Sequence, residues 1–458
     1  MREQSRSGRS AYTAFCSSVL FPLHERIKRH DTSARRRALE QSQWWPRERI
    51  EDERLERLRR FLADVAVTVP YYERIFRQNA FDPAGVRSLD DLAAIPFLTK
   101  ALIRANTESL KARGATGLMR YNTGGSSGEP LVFYIGRDRV SHDVAAKWRA
   151  TRWWDVDIGD PEIVIWGSPI ELGAQDRLRA LRDKLLRTRL LPAFEMSNAK
   201  VAGSLNKIRA TRPKMLFGYP SALSHIAQCA QEKSLRMDDL GIRVAFVTSE
   251  RLYPEQRDRI ARTFGCEVAN GYGGRDAGFI AHECPAGGMH ITAEDIIVEI
   301  VDADGNPQPP GTAGEIVVTH MATRSFPFIR YRIGDVAVLD DRACACGRGL
   351  PLIKEIQGRT TDFIVARNGT VMHGLALVYV VRDLPGIEKF KIVQESLDYT
   401  KVLLVVNAGF DRGYVDQIRR QMAQRLGEGV RIDIDLVGDI PVEASGKYRY
   451  VTSKAVAR

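Results

Sequence analysis

Between Tyr121 and Pro130 the chain reads YNTGGSSGEP. Thr123, Gly124, Gly125, Ser126, Ser127 and Gly128 are crowded there without one bulky side chain. Backbone N–H groups in such a turn converge on an anion, and the small side chains let a phosphate come close. The hydroxyls of Thr123, Ser126 and Ser127 add donors. Two common phosphate loops are absent. A Walker A loop requires Lys after its last Gly, where this chain has Glu129. The dinucleotide fingerprint needs a third Gly, and GYGGRD at 271–276 has Asp276 in that place. Taken alone, the loop also reads as an ordinary turn ahead of the apolar LVFYIG at 131–136.

Four further stretches follow in order. NGYGGRDAG (270–278) puts Tyr272, Gly273 and Asp276 at the end of an apolar run, and YRIGDVA (331–337) puts Asp335 after a Gly turn. GRTTDFIV (358–365) carries Arg359, and PVEASGKYRY (441–450) presents Lys447 directly after a glycine. Each could be an ordinary turn. Together they supply an aromatic face, two carboxylates, a guanidinium and an ammonium to follow a phosphate-type loop.

A second constellation has metal-ligand chemistry. HECPAGGMH (282–290) and CACG (344–347) offer Cys284, Cys344 and Cys346, which one histidine would complete to a tetrahedral Cys₃His set. His290 is preferred and His282 is the alternative. A closed set of four ligands is structural, not catalytic. The competing reading is a group of unrelated thiols, because C-x-C is less diagnostic than paired C-x-x-C. Cys16, Cys229 and Cys266 read as isolated buried thiols.

The elements that must position these residues alternate. Residues 40–78 read as helix, ended at Pro70, and 140–152 as another. Apolar strands at 162–167, 214–220, 243–249 and 266–274 alternate with helices at 198–211, 221–233 and 254–264, which implies a largely parallel sheet covered on both faces. After residue 290 strands dominate, at 295–302, 314–320 and 335–340. The last hundred residues read as strands at 362–366, 388–394, 401–406 and 430–437 around one clear helix, 412–427. Trp166, Gly167, Phe217–Tyr219 and Ser249–Glu250 fall at strand ends, where ligands bind in such sheets. The tryptophan pairs at 44–45 and 153–154 read as packing or as stacking platforms. His142 and His225 read as core histidines or as pocket gates.

The bulk numbers fit a large globular chain. The chain has 458 residues, 44% hydrophobic and 27% charged, so it can bury a sizeable core in more than one domain. Its net charge is +11, and residues 1–60 supply 15 Lys/Arg against 9 Asp/Glu. The basic arm reads as a solvated helix or as a surface for peripheral membrane contact; nucleic acid is not an expected partner. The segment AYTAFCSSVLFPL (11–23) reads as a short amphipathic piece that packs on the body or lies at a membrane surface. Six cysteines argue against a disulfide scaffold, and a cytoplasmic monomer or homodimer is the expectation.

The ordered motifs resemble the adenylate-forming superfamily of acyl- and aryl-CoA ligases. Within it they are similar to the phenylacetate–CoA ligase group and its capsular polysaccharide biosynthesis relatives. LHERIKRH (23–30), LEQSQWW (39–45) and VPYYERIF (69–76) resemble the capsular subgroup in particular. The resemblance implies an α/β fold: a large N-terminal domain over 1–357, with a helical arm to about residue 78, mainly parallel sheets flanked by helices and a β-rich subdomain. A small mobile α+β domain over 358–458 completes it. The implied reaction is ATP-dependent activation of a carboxylic acid as an acyl-adenylate, then transfer to coenzyme A or an amine. Thr123–Gly128 would hold the ATP phosphates, Tyr272 would stack on adenine, and Asp276 would bind magnesium. Asp335 would grip the ribose, Arg359 would contact ribose or phosphate, and Lys447 would reach the carboxylate and α-phosphate. Thr360–Asp362 would be the hinge, and the cysteines favour zinc. The chain departs from the family pattern at Glu129, Asp276 and Thr361. Those departures leave room for a non-catalytic nucleotide-binding subunit of a polysaccharide assembly complex.

Overall fold

The protein is described by a computed structural model. It describes residues 10–122, 131–166, 177–193, 198–359, 363–368, 371–373, 375–382, 384–440 and 450–455. The chain divides into two compact units, Met1–Ile333 with Val338–Glu355, and Gly334–Ala337 with Ile356–Arg458.

The first unit opens with helices α1 (Ala11–Phe15) and α2 (Phe21–Ile27), joined by a π-helical turn at Cys16–Leu20. Then come α3 (Thr32–Ser42), α4 (Arg47–Thr68) and α5 (Pro70–Gln78). The helix expected over 40–78 is therefore three pieces. Pro46 and Pro70 cannot donate to the turn behind them, so each starts a new helix instead of continuing one. Nor is the arm a solvated helix. It buries Leu39, Ile50, Leu58, Phe61, Leu62 and Val65. Ser42 Oγ donates to Glu294 at 2.7 Å, and Arg149 reaches the same carboxylate at 2.6 Å. Glu40, Glu51 and Glu56 pair with Arg36, Arg47 and Arg60, while the apolar stripe decides where the helices lie.

After α6 (Lys100–Ala105), strands β1 (Met119–Asn122) and β2 (Val132–Ile135) form an antiparallel hairpin that leads into α7 (Arg137–Arg152). The next elements are β3 (Glu162–Trp166), α8 (Arg177–Leu185), β4 (Thr188–Pro192), α9 (Asn198–Thr211), β5 (Met215–Gly218) and α10 (Pro220–Glu232). They continue with β6 (Val244–Thr248), α11 (Pro254–Phe264), β7 (Glu267–Gly274), β8 (Gly278–Glu283), β9 (Met289–Ile291), β10 (Ile296–Val301), β11 (Ala313–His320), β12 (Phe328–Asp340) and β13 (Leu352–Arg359). One 11-stranded sheet has the order β10-β11-β12-β13-β9-β8-β7-β6-β5-β3-β4. Strands β4, β3, β5, β6 and β7 pair in parallel, and β7 onward to β8, β9 and β13 is antiparallel. The strand-rich stretch after residue 290 thus continues the parallel sheet edge to edge.

The core under the parallel half joins Ile163, Ile165, Leu216, Ala245 and Val247 of the strands to Leu205, Leu223, Ile226, Ile260 and Phe264 of the helices. Burial of both faces explains why these strands read as continuous apolar runs.

The second unit holds a hairpin, β14 (Phe363–Val365) with β15 (Val371–His373), then α12 (Leu375–Arg382), β16 (Ile387–Ser396), β17 (Tyr399–Val406), α13 (Gly413–Leu426), β18 (Arg431–Leu436) and β19 (Val451–Ser453). Its four-stranded sheet has the order β18-β17-β16-β19. Two helices, not one, cover it. The run Leu375–Arg382 is apolar almost all round, so its helical period is invisible in sequence. Leu377, Val381, Ile418, Met422 and Leu426 pack with Phe390, Ile392, Val402 and Leu404. The architecture is α/β with a large mixed sheet and a small α+β unit. No helix among the described residues is long and apolar enough to cross a membrane.

Candidate active site

The GYGGRDAG stretch is a tight antiparallel turn between β7 and β8, with Gly274 opposite Gly278 and a bulge between Tyr272 and Gly273. A Cβ on Gly273 would lie 2.0 Å from the Gly278 carbonyl oxygen, so only glycine lets the two backbones close here. The turn carries Asp276 on its far side. Asp276 Oδ2 accepts the Tyr331 hydroxyl at 2.6 Å, and Oδ1 accepts the Ala277 N–H at 3.2 Å. A carboxylate held on one oxygen by a buried phenol keeps its direction, and its remaining lone pairs can face a cation.

One further contact ties the turn to the end of β1. Arg275 donates to the Asn122 carbonyl at 3.3 Å, and Asn122 is the last residue of β1 before the Gly/Ser stretch. Asn122 also pairs with Val132 across the hairpin, so both flanks of the loop meet beside the turn. From below, Arg139 of α7 donates to the carbonyls of Asp276 and Arg275 at 3.3 and 3.4 Å. Arg139 is 1% exposed and pairs with Asp143 at 2.9 Å. Sequence reasoning missed Arg139 and Tyr331. Tyr331 was within reach, since it opens the YRIGDVA stretch; Arg139 carries no signal in a helix where seven of sixteen residues are charged.

Asp143 heads a buried cluster. The rings of His142 and His320 meet edge to face at 4.8 Å, and His142, Asp143 and His320 offer ligand atoms within 4.8 Å of one another. Burial works against the Asp143 charge, but Arg139 and hydrogen bonds from both imidazoles hold its carboxyl well below the usual range. Burial, then Arg139, pushes His320 down to about 3. Arg139 already supplies the cation here, so the arrangement is a charge cluster under the turn. His142 is thus a core histidine, and His225 lies 4.0 Å from the Cys229 sulfur.

At the carboxyl ends of β3 and β5, Trp166 stacks on Tyr219 with centroids 4.4 Å apart and on Phe217 at 5.8 Å. Phe217 continues the stack to Phe246 at 6.0 Å. Glu250 accepts the Ser221 N–H at 3.2 Å at the end of β6. Strand ends in a parallel sheet are where ligands sit.

Asp335 lies on β12 and Arg359 ends β13. The loop Thr123–Gly128, Gly167, Thr360–Asp362 and Lys447 lie outside the described residues, as does the side chain of Arg359.

The cysteine set converges. Sγ of Cys284 and of Cys344 are 3.7 Å apart, and His290 Nε2 is 3.2 Å from Cys346 Sγ; all four ligand atoms lie within 4.8 Å of one another. His290 Nδ1 faces the Leu350 carbonyl at 3.4 Å, which leaves Nε2 toward the sulfurs, as a metal-ligating imidazole requires. His290 and His282 are cross-strand partners on β9 and β8, yet His282 packs on Phe279 and is not in the set. Burial pushes the Cys284 thiol up to about 12. Burial also raises Cys346, but the Arg348 N–H and guanidinium outweigh it and lower that thiol. The tryptophan pairs wrap this knot. Arg348 lies over Trp44 at 4.6 Å and Trp153 at 4.5 Å, Trp153 meets His290 at 5.6 Å, and Trp154 Nε1 donates to the Glu283 carbonyl at 3.1 Å. The donor set and its spacing fit a tetrahedral zinc ion.

Comparison with known proteins matches residues 190–323 to the AMP-binding enzyme family and 364–454 to the CapK C-terminal domain. Phenylacetate-coenzyme A ligase of Thermus thermophilus is 26% identical over 444 residues, 89% of this chain and 97% of that protein. Protein CapK of Staphylococcus aureus is 23% identical over 384 residues, 83% of this chain and 84% of its own. The chain belongs to the adenylate-forming AMP-binding superfamily, in its phenylacetate–CoA ligase and CapK group. It is an adenylate-forming, phenylacetate–CoA ligase-like enzyme. The fold agrees: a 2-hydroxyisobutyryl-CoA ligase, solved in complex with 2-HIB-AMP, superposes with a TM-score of 0.72 at 21% identity over 90% of this chain and 91% of that one. The AMP-binding match contains Tyr272, Gly273 and Asp276, and the CapK match contains Lys447.

Proposed function

We propose that the chain uses ATP and magnesium to activate a carboxylic acid as an acyl-adenylate and then transfers the acyl group to coenzyme A. The carboxylate oxygen attacks the α-phosphorus, the bond to the β-phosphate breaks, and pyrophosphate leaves. The coenzyme A sulfur, having lost its proton, then attacks the acyl carbon, and AMP leaves with the bonding pair. Charge builds on the phosphate oxygens in the first step, so fixed cations and N–H donors do most of the work. Thr123, Gly124, Gly125, Ser126, Ser127 and Gly128 are assigned to the phosphates, Tyr272 and Gly273 to the adenine side, Asp335 and Arg359 to the ribose side. Lys447 is assigned to the α-phosphate and carboxylate, and Asp276 to magnesium. The acid would lie against the Trp166–Tyr219 stack.

The observation that carries this reading is the Asp276 carboxylate, aimed by Tyr331 on a turn that also binds Asn122 at the mouth of the Gly/Ser loop. The match of residues 364–454 to the CapK C-terminal domain supports a role in capsule or exopolysaccharide synthesis, where an amine on a sugar or amino acid is the competing acceptor. The Cys284, His290, Cys344 and Cys346 set is assigned to a structural zinc ion, which fixes β9 against the segment before β13.

ATP–pyrophosphate exchange against aryl, fatty and amino acids tests the first step. Exchange with one acid class that Lys447→Ala abolishes supports the reading and names the substrate class. Tight ATP binding with no exchange for any acid overturns it in favour of a nucleotide-binding subunit. Thioester formation, against amide formation, then separates the two acceptors.

A further inference from the structure

Among the described residues eleven large hydrophobic side chains are exposed, and six of them lie on the first helical run and on α8 beside it. Phe15, Val19, Leu23 and Ile27 are 50%, 50%, 55% and 74% exposed, one every four residues from α1 to α2. The opposite side of the same run buries Thr13, Cys16, Ser17, Phe21 and Glu25. In a regular α-helix a four-residue spacing drifts by roughly 40° per step. The π-helical turn at Cys16–Leu20 takes more residues per turn, which counters that drift and keeps the four side chains on one face.

Helix α8 lies alongside. Tyr12 donates its hydroxyl to the Leu185 carbonyl at 2.7 Å. Burial, with nearby cations including Arg182, lowers His24. Leu181 and Leu185 add exposures of 54% and 41%. The fringe is basic. Arg26, Lys28, Arg29, Lys184 and Arg187 are exposed. Within residues 10–30 the one acid, Glu25, is buried and taken by His24, His30 and Thr32. The residues before it in sequence carry Arg2, Arg6 and Arg9 against Glu3.

We propose that this face lies flat on an anionic lipid surface. Apolar side chains on one side of a helix with Lys and Arg at its margin are the arrangement that sits at the boundary of headgroups and acyl chains. A second copy of the chain fits less well, because a two-fold contact sets equivalent patches against each other and would bring the two basic fringes together. The contact is peripheral, since no described helix is long and apolar enough to span. It does not depend on the reaction assigned above.

Co-sedimentation of the full chain with vesicles of phosphatidylcholine, with and without phosphatidylglycerol, tests it. The chain should pellet with the anionic vesicles, less so at high salt. The double variant Val19→Asp, Leu23→Asp should lower that partition roughly tenfold or more, with an unchanged Tm and unchanged solution properties otherwise. Arg26→Glu with Lys28→Glu, which keeps the apolar face, should also weaken binding. Three results overturn the proposal. The parent chain stays in the supernatant with anionic vesicles; the apolar double variant pellets as well as the parent; or sedimentation velocity shows a dimer that the double variant dissolves, which would give the face to a second copy.

Discussion

Strand β8 joins two sites built on opposite principles. At its start, the Gly273–Gly278 turn is made by removing side chains, and what it displays is half-buried. Just past its end, Cys284 enters a knot in which side chains from three segments converge and tryptophans and Arg348 close around them. A six-residue strand separates the two. The first arrangement keeps one carboxylate aimed. The second draws four ligand atoms within 4.8 Å of one another and can only hold. The proposed substrate site would thus be anchored by one that exchanges nothing.

Breaking the knot should have the largest effect. Cys284→Ser should remove zinc from the purified protein, measured by atomic emission, and cost about 4 kcal/mol or more in denaturant unfolding. Pyrophosphate exchange should fall with it, because β8 loses its anchor. A parent protein purified without zinc would end that reading. Gly273→Ala attacks the other end. The added methyl meets a backbone carbonyl that cannot swing away, so a penalty of about 2–3 kcal/mol is expected, with exchange activity lost well below the melting temperature.

Tyr331→Phe sharpens the contrast, since it removes direction without removing packing. Losing the partner that orients a metal-binding carboxylate typically costs about 10- to 100-fold in metal affinity or activity, so exchange should fall by roughly that much and the magnesium concentration for half activity should rise. Asp276 is half-buried, so water can replace the hydroxyl and the Tm should move little. An equal loss of stability would make Tyr331 a packing residue. The smallest effect is a pH slope. His320 is pushed down to about 3 from an ordinary 6.5, so the unfolded chain takes its proton first. Stability from the buried neutral ring is complete above pH 6.5 and declines as pH falls toward 3, by about 1.4 kcal/mol per unit. The facing groups are Arg139, Asp143 and His142. Burial pushes His282 down to about 3 and His290 to about 4 as well, so urea midpoints at pH 7.5 and 5.5 should show a combined decline, and His320→Gln should make it shallower by one histidine's share.

Much of the fold and part of the site are legible in the sequence. The alternation of short apolar strands with helices between 162 and 274 reads as a parallel sheet, because strands buried on both faces have no polar side to show. The ordered motifs place the chain in its superfamily, because chemistry at a phosphate restricts which residues can stand near it. Cys284, Cys344 and Cys346 stand out as candidate ligands because thiol pairs are rare. Tertiary structure alone chose between the histidines, through the β8–β9 register and the turn of one ring toward Leu350. It also joined what read as two sheets into one, and it docked the basic arm through Ser42, Arg149 and Glu294. The same holds for Tyr331 on Asp276 and for Arg139 beneath the turn. These are contacts between residues tens to hundreds of positions apart. Local propensity and periodicity act over a few residues, so a partner that distant leaves no mark in the sequence around either one.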